Sequence, residues 1–212
     1  MNLTLLSVLL VGAVTLLMTA APARGEVPAD VLARLTRGVN LSHWYAQSIR
    51  GHYREEHLSR YFTEADVELI ATMGFRHVRL TLNETVLFDR EQPEALALFD
   101  QRLAWFRKHG LLAIVDLHPG DEYKKWVGSA AGGDAFVLQW TALARHLAAT
   151  SDPAWVVLEV MNEPNGIKPE AWQELQGRAV RAMRGAAPRH TIVVTGGNWG
   201  SLDDLLKLTP YD

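Results

Sequence analysis

One regularity constrains the fold of this chain more than any other. From position 37 onward, short runs of apolar and β-branched residues alternate with longer stretches of helical period. The strand-like runs are 37–41, 76–82, 111–117, 155–161 and 191–195. Helical stretches occupy 64–73, 93–109, 134–149 and 169–186, and a last amphipathic piece covers 202–208. Boundary signals agree with these limits. Thr63 stands where an N-cap belongs, Pro169 suits a first helical turn, and Gly74 and Gly110 follow helices as C′ residues do. Repeated strand–helix units imply a parallel sheet joined by right-handed crossovers. The units recur roughly every 35–45 residues, as in a βα barrel, but a closed barrel has eight of them and takes about 250 residues. The expected fold class is therefore α/β of the (β/α)8 TIM-barrel type, incomplete in this chain, with about five βα units. A five-stranded open sheet is the alternative. No linker or low-complexity tract divides residues 24–212, which are expected to form one N-terminal part of such a barrel.

The fourth run, Trp-Val-Val-Leu-Glu-Val-Met-Asn-Glu-Pro at 155–164, reads as a buried parallel strand. Pro164 cannot continue a ladder, so Asn162 and Glu163 stand at the strand's C-terminal tip, where α/β sheets carry their chemistry. Side chains alternate along a strand. Arg79 then shares a face with His77 and Thr81, Asp116 with His118, and Glu159 with Glu163. Charges inside a parallel strand are costly unless paired. Arg79, Asp116, His118, Glu159 and Glu163 are therefore expected to face a common interior, with Arg79 against a carboxylate. A purely structural ion network would explain Arg79 and its partners. It would not explain why Asn162, Glu163 and His118 gather at one end of the strands.

These motifs resemble glycoside hydrolase family 5, the cellulase family. The likeness runs over 37–212 through Arg37-Gly38-Val39-Asn40, Val78-Arg79-Leu80, Asp116-Leu117-His118, Asn162-Glu163-Pro164 and Thr195-Gly196-Gly197-Asn198-Trp199. Related barrel families that cleave β-linked sugars share the Asn-Glu-Pro motif. The resemblance implies a (β/α)8 barrel and a retaining β-glycosidase or endoglucanase acting on β-linked glucans, with no cofactor. It makes Glu163 the general acid/base and gives Asn162 the sugar 2-hydroxyl. Arg79 would keep the nucleophile ionised, and His118 would bind sugar hydroxyls or orient the site. Retaining hydrolysis needs two carboxyls about 5–5.5 Å apart. The family's nucleophile is a Glu ending the seventh strand, which no residue through 212 matches, so this chain alone is expected to be inactive. The sixth-strand His and Tyr and the eighth-strand Trp are likewise unmatched, and Leu80-Thr81 stands where many members carry Pro after the strand-two Arg. A non-catalytic carbohydrate-binding half-barrel, or one half of a complemented enzyme, is the alternative function.

Sugar rings pack their C–H faces on aromatic rings. Of seven Trp, Trp44, Trp126 and Trp199 fall after strands, on the side of Glu163, and with Asn40, His43 and Asn198 are the candidate substrate contacts. Trp105, Trp140 and Trp172 lie in helical patterns and belong to the core, and Trp155 is structural. Residues 119–134, with four Gly, read as a mobile cleft loop without a phosphate-binding pattern. His43 and His118 raise a metal reading, but no close ligand pair accompanies them, so no metal is expected. A net charge of −3 without a basic stripe argues against nucleic acid. Residues 1–23 combine an apolar run with Ala21-Pro22-Ala23, the form of a cleaved signal peptide. An uncleaved anchor is the rival, but the run is shorter than the roughly 20 residues that span a bilayer. The product is expected to be secreted or periplasmic, free of stable membrane association after cleavage, with a β-linked polysaccharide or oligosaccharide as its partner.

Overall fold

The structure is a computed structural model that describes residues 26–48, 53–87 and 94–211. The segment read as a signal peptide lies outside the described residues. Five strands, β1 (Gly38–Leu41), β2 (His77–Leu82), β3 (Leu112–Leu117), β4 (Val156–Glu159) and β5 (Thr191–Val193), form one sheet in the order β1-β2-β3-β4-β5. Every pairing is parallel. The helices are α1 (Ala29–Arg34), α2 (Glu55–Arg60), α3 (Glu64–Thr72), α4 (Glu94–Lys108), α5 (Asp121–Val127), α6 (Ala130–Thr150) and α7 (Pro169–Ala186), followed by the short turns α8 (Gly197–Gly200) and α9 (Leu202–Leu205).

The period-2 alternation of each strand sorts its side chains between two environments. Val78, Leu80, Leu82, Ala113, Val115, Leu117, Val156 and Leu158 join Phe99, Phe106, Phe136, Trp140 and Trp172 in one large core between sheet and helices. The other parity faces what would be a barrel interior. At its N-terminal end Val31 and Leu35 of the α1 segment pack on Leu112, Ile114, Val157 and Val193. Arg34 ties α1 in place: its guanidinium lies 4.1 Å from the Trp155 ring, and its carbonyl is 3.0 Å from His77 Nδ1. Apolar groups fill the bottom of this interior, and the charged residues are left for the top.

The sequence misread one segment. Residues 119–134 are not a mobile loop: α5 forms there, and α6 begins at Ala130, ahead of the expected 134. Ser129 caps α6 by accepting from Gly132 N at 3.1 Å. Gly132 permits the tight α5–α6 junction, because a Cβ there would stand 2.0 Å from the Trp126 carbonyl oxygen. Strand β4 is also shorter than the run 155–161, since the ladder ends at Glu159. Helices α1 and α2 had no counterpart among the expected elements.

Candidate active site

The site grows from the registers at the C-terminal strand ends. Asn40 stands opposite Arg79, and Asp116 opposite Glu159. Arg79 reaches across three strands. Its Nε and Nη2 donate to the two oxygens of Glu159, each at 2.7 Å, a bidentate pair. Nη2 also lies 2.9 Å from Asp116 Oδ2 and donates to Asn162 Oδ1 at 3.1 Å, while Nη1 donates to Asn40 Oδ1 at 3.0 Å. Burial works against the charged guanidinium, but the Glu159 hydrogen bond and the carboxylates of Asp116, Glu159 and Glu163 outweigh it and hold Arg79 above its ordinary value. The Asp116 side chain is wholly buried. Burial pushes its carboxyl up, reinforced by Glu159 and opposed by His118 and Arg79.

His118 follows β3. Its backbone N–H donates to Leu82 O at 2.6 Å, and its ring stands between Asp116 and Asn162, with Nδ1 2.9 Å from Asp116 Oδ2 and Nε2 3.2 Å from Asn162 Nδ2. Strict alternation would send Asn162 to the helix side with Leu158. The chain after Glu159 departs from the pleat: Val160 and Met161 both enter the helix-side core, and Asn162 N donates to Leu117 O at 2.8 Å. That irregularity swings the Asn162 amide onto Arg79. Glu163 comes next, exposed, at φ 44°. A left-handed conformation costs a non-glycine residue about 1–2 kcal/mol, and strain of this kind collects at functional sites. Parity with Glu159 therefore does not set the direction of Glu163.

Loops after β3 and β5 close in around this tip. Trp199 N donates to Pro164 O at 2.9 Å, and Asn198 and Trp199 both hold left-handed backbone, at φ 48° and 64°. Trp199 is 56% exposed, and Lys124 Nζ, on the otherwise buried Lys124, lies 5.6 Å from its ring. Trp126 is 45% exposed beside Tyr123. Both rings suit a sugar face. Trp44 does not, which corrects the expectation for it. It is fully buried against Tyr45 and Phe62, and its Nε1 donates to Leu58 O at 2.9 Å. His43 is exposed at φ 63°, with Nδ1 held 2.7 Å from Gln47 O in its own loop. Asn40 uses its carbonyl oxygen on Arg79. Two residues outside the expected site set prove central to it: Asp116 and Glu159, visible in sequence as interior charges. Lys124 was missed, because a Lys on a loop-like segment carries no signal of burial. Among the described residues no group of three or more His, Asp or Glu is placed to hold a metal ion.

Parallel βα units with a polar cluster at their C-terminal ends are the arrangement of α/β proteins with open or closed sheets. Residues 37–212 match the model of Cellulase (glycosyl hydrolase family 5), and the chain belongs to that family. Among curated relatives, Endoglucanase C of Acetivibrio thermocellus is 28% identical over 188 residues, covering 82% of this chain and 53% of its own length. Cellodextrinase A of Ruminococcus flavefaciens is 25% identical over 195 residues, covering 84% of this chain and 55% of its own. The chain thus spans about half the length of the curated relatives it matches. Among solved structures, endoglucanase Cel5A of Thermotoga maritima superposes with a TM-score of 0.69 at 21% identity, over 85% of this chain and 59% of that one. The same enzyme in complex with cellobiose gives a TM-score of 0.72 at 21% identity, over 85% and 58%. These likenesses establish the fold as the (β/α)8 type, of which five units stand here.

Proposed function

We propose that this face is the acid/base half of a retaining β-glycosidase site that binds β-linked glucan chains, in a protein secreted or exported to the periplasm after loss of residues 1–23. Glu163 protonates the leaving oxygen. Asn162 donates to the sugar 2-hydroxyl, Arg79 sets the electrostatics of the cleft, and His118 contacts sugar hydroxyls or orients Asn162. Trp126 and Trp199 are the platforms, with Asn40, His43 and Asn198 at the margin. One observation carries the reading: an exposed, backbone-strained Glu163 directly follows an Asn162 whose amide is clamped by Arg79 and His118. The attacking carboxylate is assigned to a segment outside 24–212. Asp116 is sealed from solvent and Glu159 is locked on Arg79, so neither is free to reach an anomeric carbon. Names of relatives support the substrate class, since several are endoglucanases.

A second reading, a carbohydrate-binding half-barrel or one half of a complemented enzyme, draws on the two exposed Trp, which bind sugar without any second carboxylate. One experiment tests both. Purified residues 24–212 are titrated with cellohexaose, following Trp fluorescence and reducing-sugar release. Saturable binding without release is expected. Trp126→Ala and Trp199→Ala should each weaken binding roughly five-fold, about 1 kcal/mol per lost ring. Absence of binding contradicts both readings, and release by the chain alone contradicts the placement of the second carboxylate. Addition of a complementing C-terminal segment then decides for or against hydrolysis.

A further inference from the structure

The geometry points to Asp116 as a positioning residue that holds His118 in the tautomer and place at which it accepts from the Asn162 amide. Four side chains close a ring of polar contacts. Arg79 Nη2 donates to Asn162 Oδ1 at 3.1 Å; Asn162 Nδ2 lies 3.2 Å from His118 Nε2; His118 Nδ1 lies 2.9 Å from Asp116 Oδ2; and that same Oδ2 is 2.9 Å from Arg79 Nη2.

Each link follows from one that chemistry fixes. A guanidinium only donates. Asn162 must therefore turn its carbonyl oxygen to Arg79 and its NH2 to His118. A ring nitrogen facing an NH2 must accept, so Nε2 is bare and the proton sits on Nδ1. An Nδ1–H needs an acceptor, and Asp116 Oδ2 supplies it. The opposite tautomer would set two donors face to face at Asn162. A flipped Asn162 would set its NH2 against Arg79. The other oxygen of Asp116, Oδ1, is buried with no hydrogen-bond partner. A buried unsatisfied acceptor costs about 1–3 kcal/mol, so Asp116 stays in place for what Oδ2 does.

Arg79 does not depend on Asp116 for its own placement, because Glu159 grips it with two bonds. The specific contribution of Asp116 is to hold His118 in the tautomer and ring position that receive the Asn162 NH2, which Arg79 turns toward the ring. One Asn162 N–H then remains for a hydroxyl of the ligand; this last consequence rests on the function proposed above.

The test is a long-range 1H–15N spectrum of the imidazole rings in the full chain at pH 8, with His118→Gln identifying the resonances. The wild-type chain should show His118 protonated at Nδ1. In Asp116→Asn, the amide oxygen takes the place of Oδ2, which meets both Arg79 and His118, so the Nδ1–H form should persist; in Asp116→Leu, Nδ1–H loses its acceptor and its population should fall in favour of Nε2–H. Trp199→Ala should leave the tautomer unchanged. Cellohexaose affinity should fall several-fold in Asp116→Leu and little in Asp116→Asn. A wild-type spectrum with Nε2–H, which needs no variant to fold, overturns the inference, as does an Nδ1–H population that is unchanged in Asp116→Leu. A tautomer switch in a chain that binds no glycan upholds the positioning role and contradicts the proposed function instead.

Discussion

Arg79 holds two carboxylates with one positive charge, and its removal has a definite cost. Arg79→Met leaves Asp116 and Glu159 buried without their cation, which should destabilise the chain by about 3–5 kcal/mol. Arg79→Lys should recover only part of this, because an ammonium cannot grip Glu159 with two parallel bonds. Denaturant unfolding of the three chains checks the order. His190 gives a separate pH signature. Burial lowers its pKa, with the neighbouring Arg189 acting in the same direction. A depressed pKa means that the unfolded chain takes up the proton first. The stability this site contributes is present above the unfolded value of about 6.5 and lost as pH falls through the folded one. Replacement by Gln should flatten the pH dependence of the melting temperature below about pH 6.5. At this scale the strand charges were legible, because a charge at an interior parity has to find a partner. Trp44 was not, because a Trp after a strand looks the same in sequence whether it faces solvent or core. Asn162 escaped the parity argument because the pleat breaks at Val160 and Met161.

Elements were legible where local and tertiary forces agreed. α7 was expected at 169–186 and forms as Pro169–Ala186. α3 starts where Thr63 marks it, with Asp66 Oδ2 accepting from Thr63 N at 2.8 Å and Oγ1 at 2.7 Å. The Thr63 side-chain hydrogen bond, with the backbone one, lowers the Asp66 pKa. Asp66→Ala should cost about 1 kcal/mol at neutral pH. That difference should vanish in urea titrations as pH falls below about 3.9 and through the lower folded value. α5 and the start of α6 were illegible for the opposite reason. Gly128, Gly132 and Gly133 argue against helix by propensity, and close approaches explain them: a Cβ would stand 2.0 Å from Trp126 O at Gly132, 3.1 Å from Ile167 Cγ1 at Gly128 and 3.2 Å from Leu175 Cδ1 at Gly133. Gly132→Ala must push the Trp126 backbone aside, at an overpacking cost of about 1–3 kcal/mol. Thermal unfolding should show the loss, and cellohexaose binding should weaken with the displaced Trp126 ring.

For the molecule as a whole, the alternation of strand and helix was legible because a parallel sheet is apolar on both faces. Closely spaced units of that kind fit a barrel or an open sheet, and the likeness to family 5 structures decides for the barrel. The interior divides by height, with α1 packing apolar residues at the bottom and charges gathered at the top. That division left no sequence signal of its own, since α1 lay outside the repeating pattern. The same height separates Asp116, deep and sealed, from Glu163, exposed at the rim. Glu163 as proton donor is most directly tested by kinetics in a hydrolytically active preparation. The kcat/KM of Glu163→Gln is compared with wild type on cellohexaose and on an aryl cellobioside whose leaving group needs no proton. A loss of roughly 10²–10⁴-fold on cellohexaose is predicted, with a much smaller loss on the aryl substrate. Equal losses on the two substrates would contradict it.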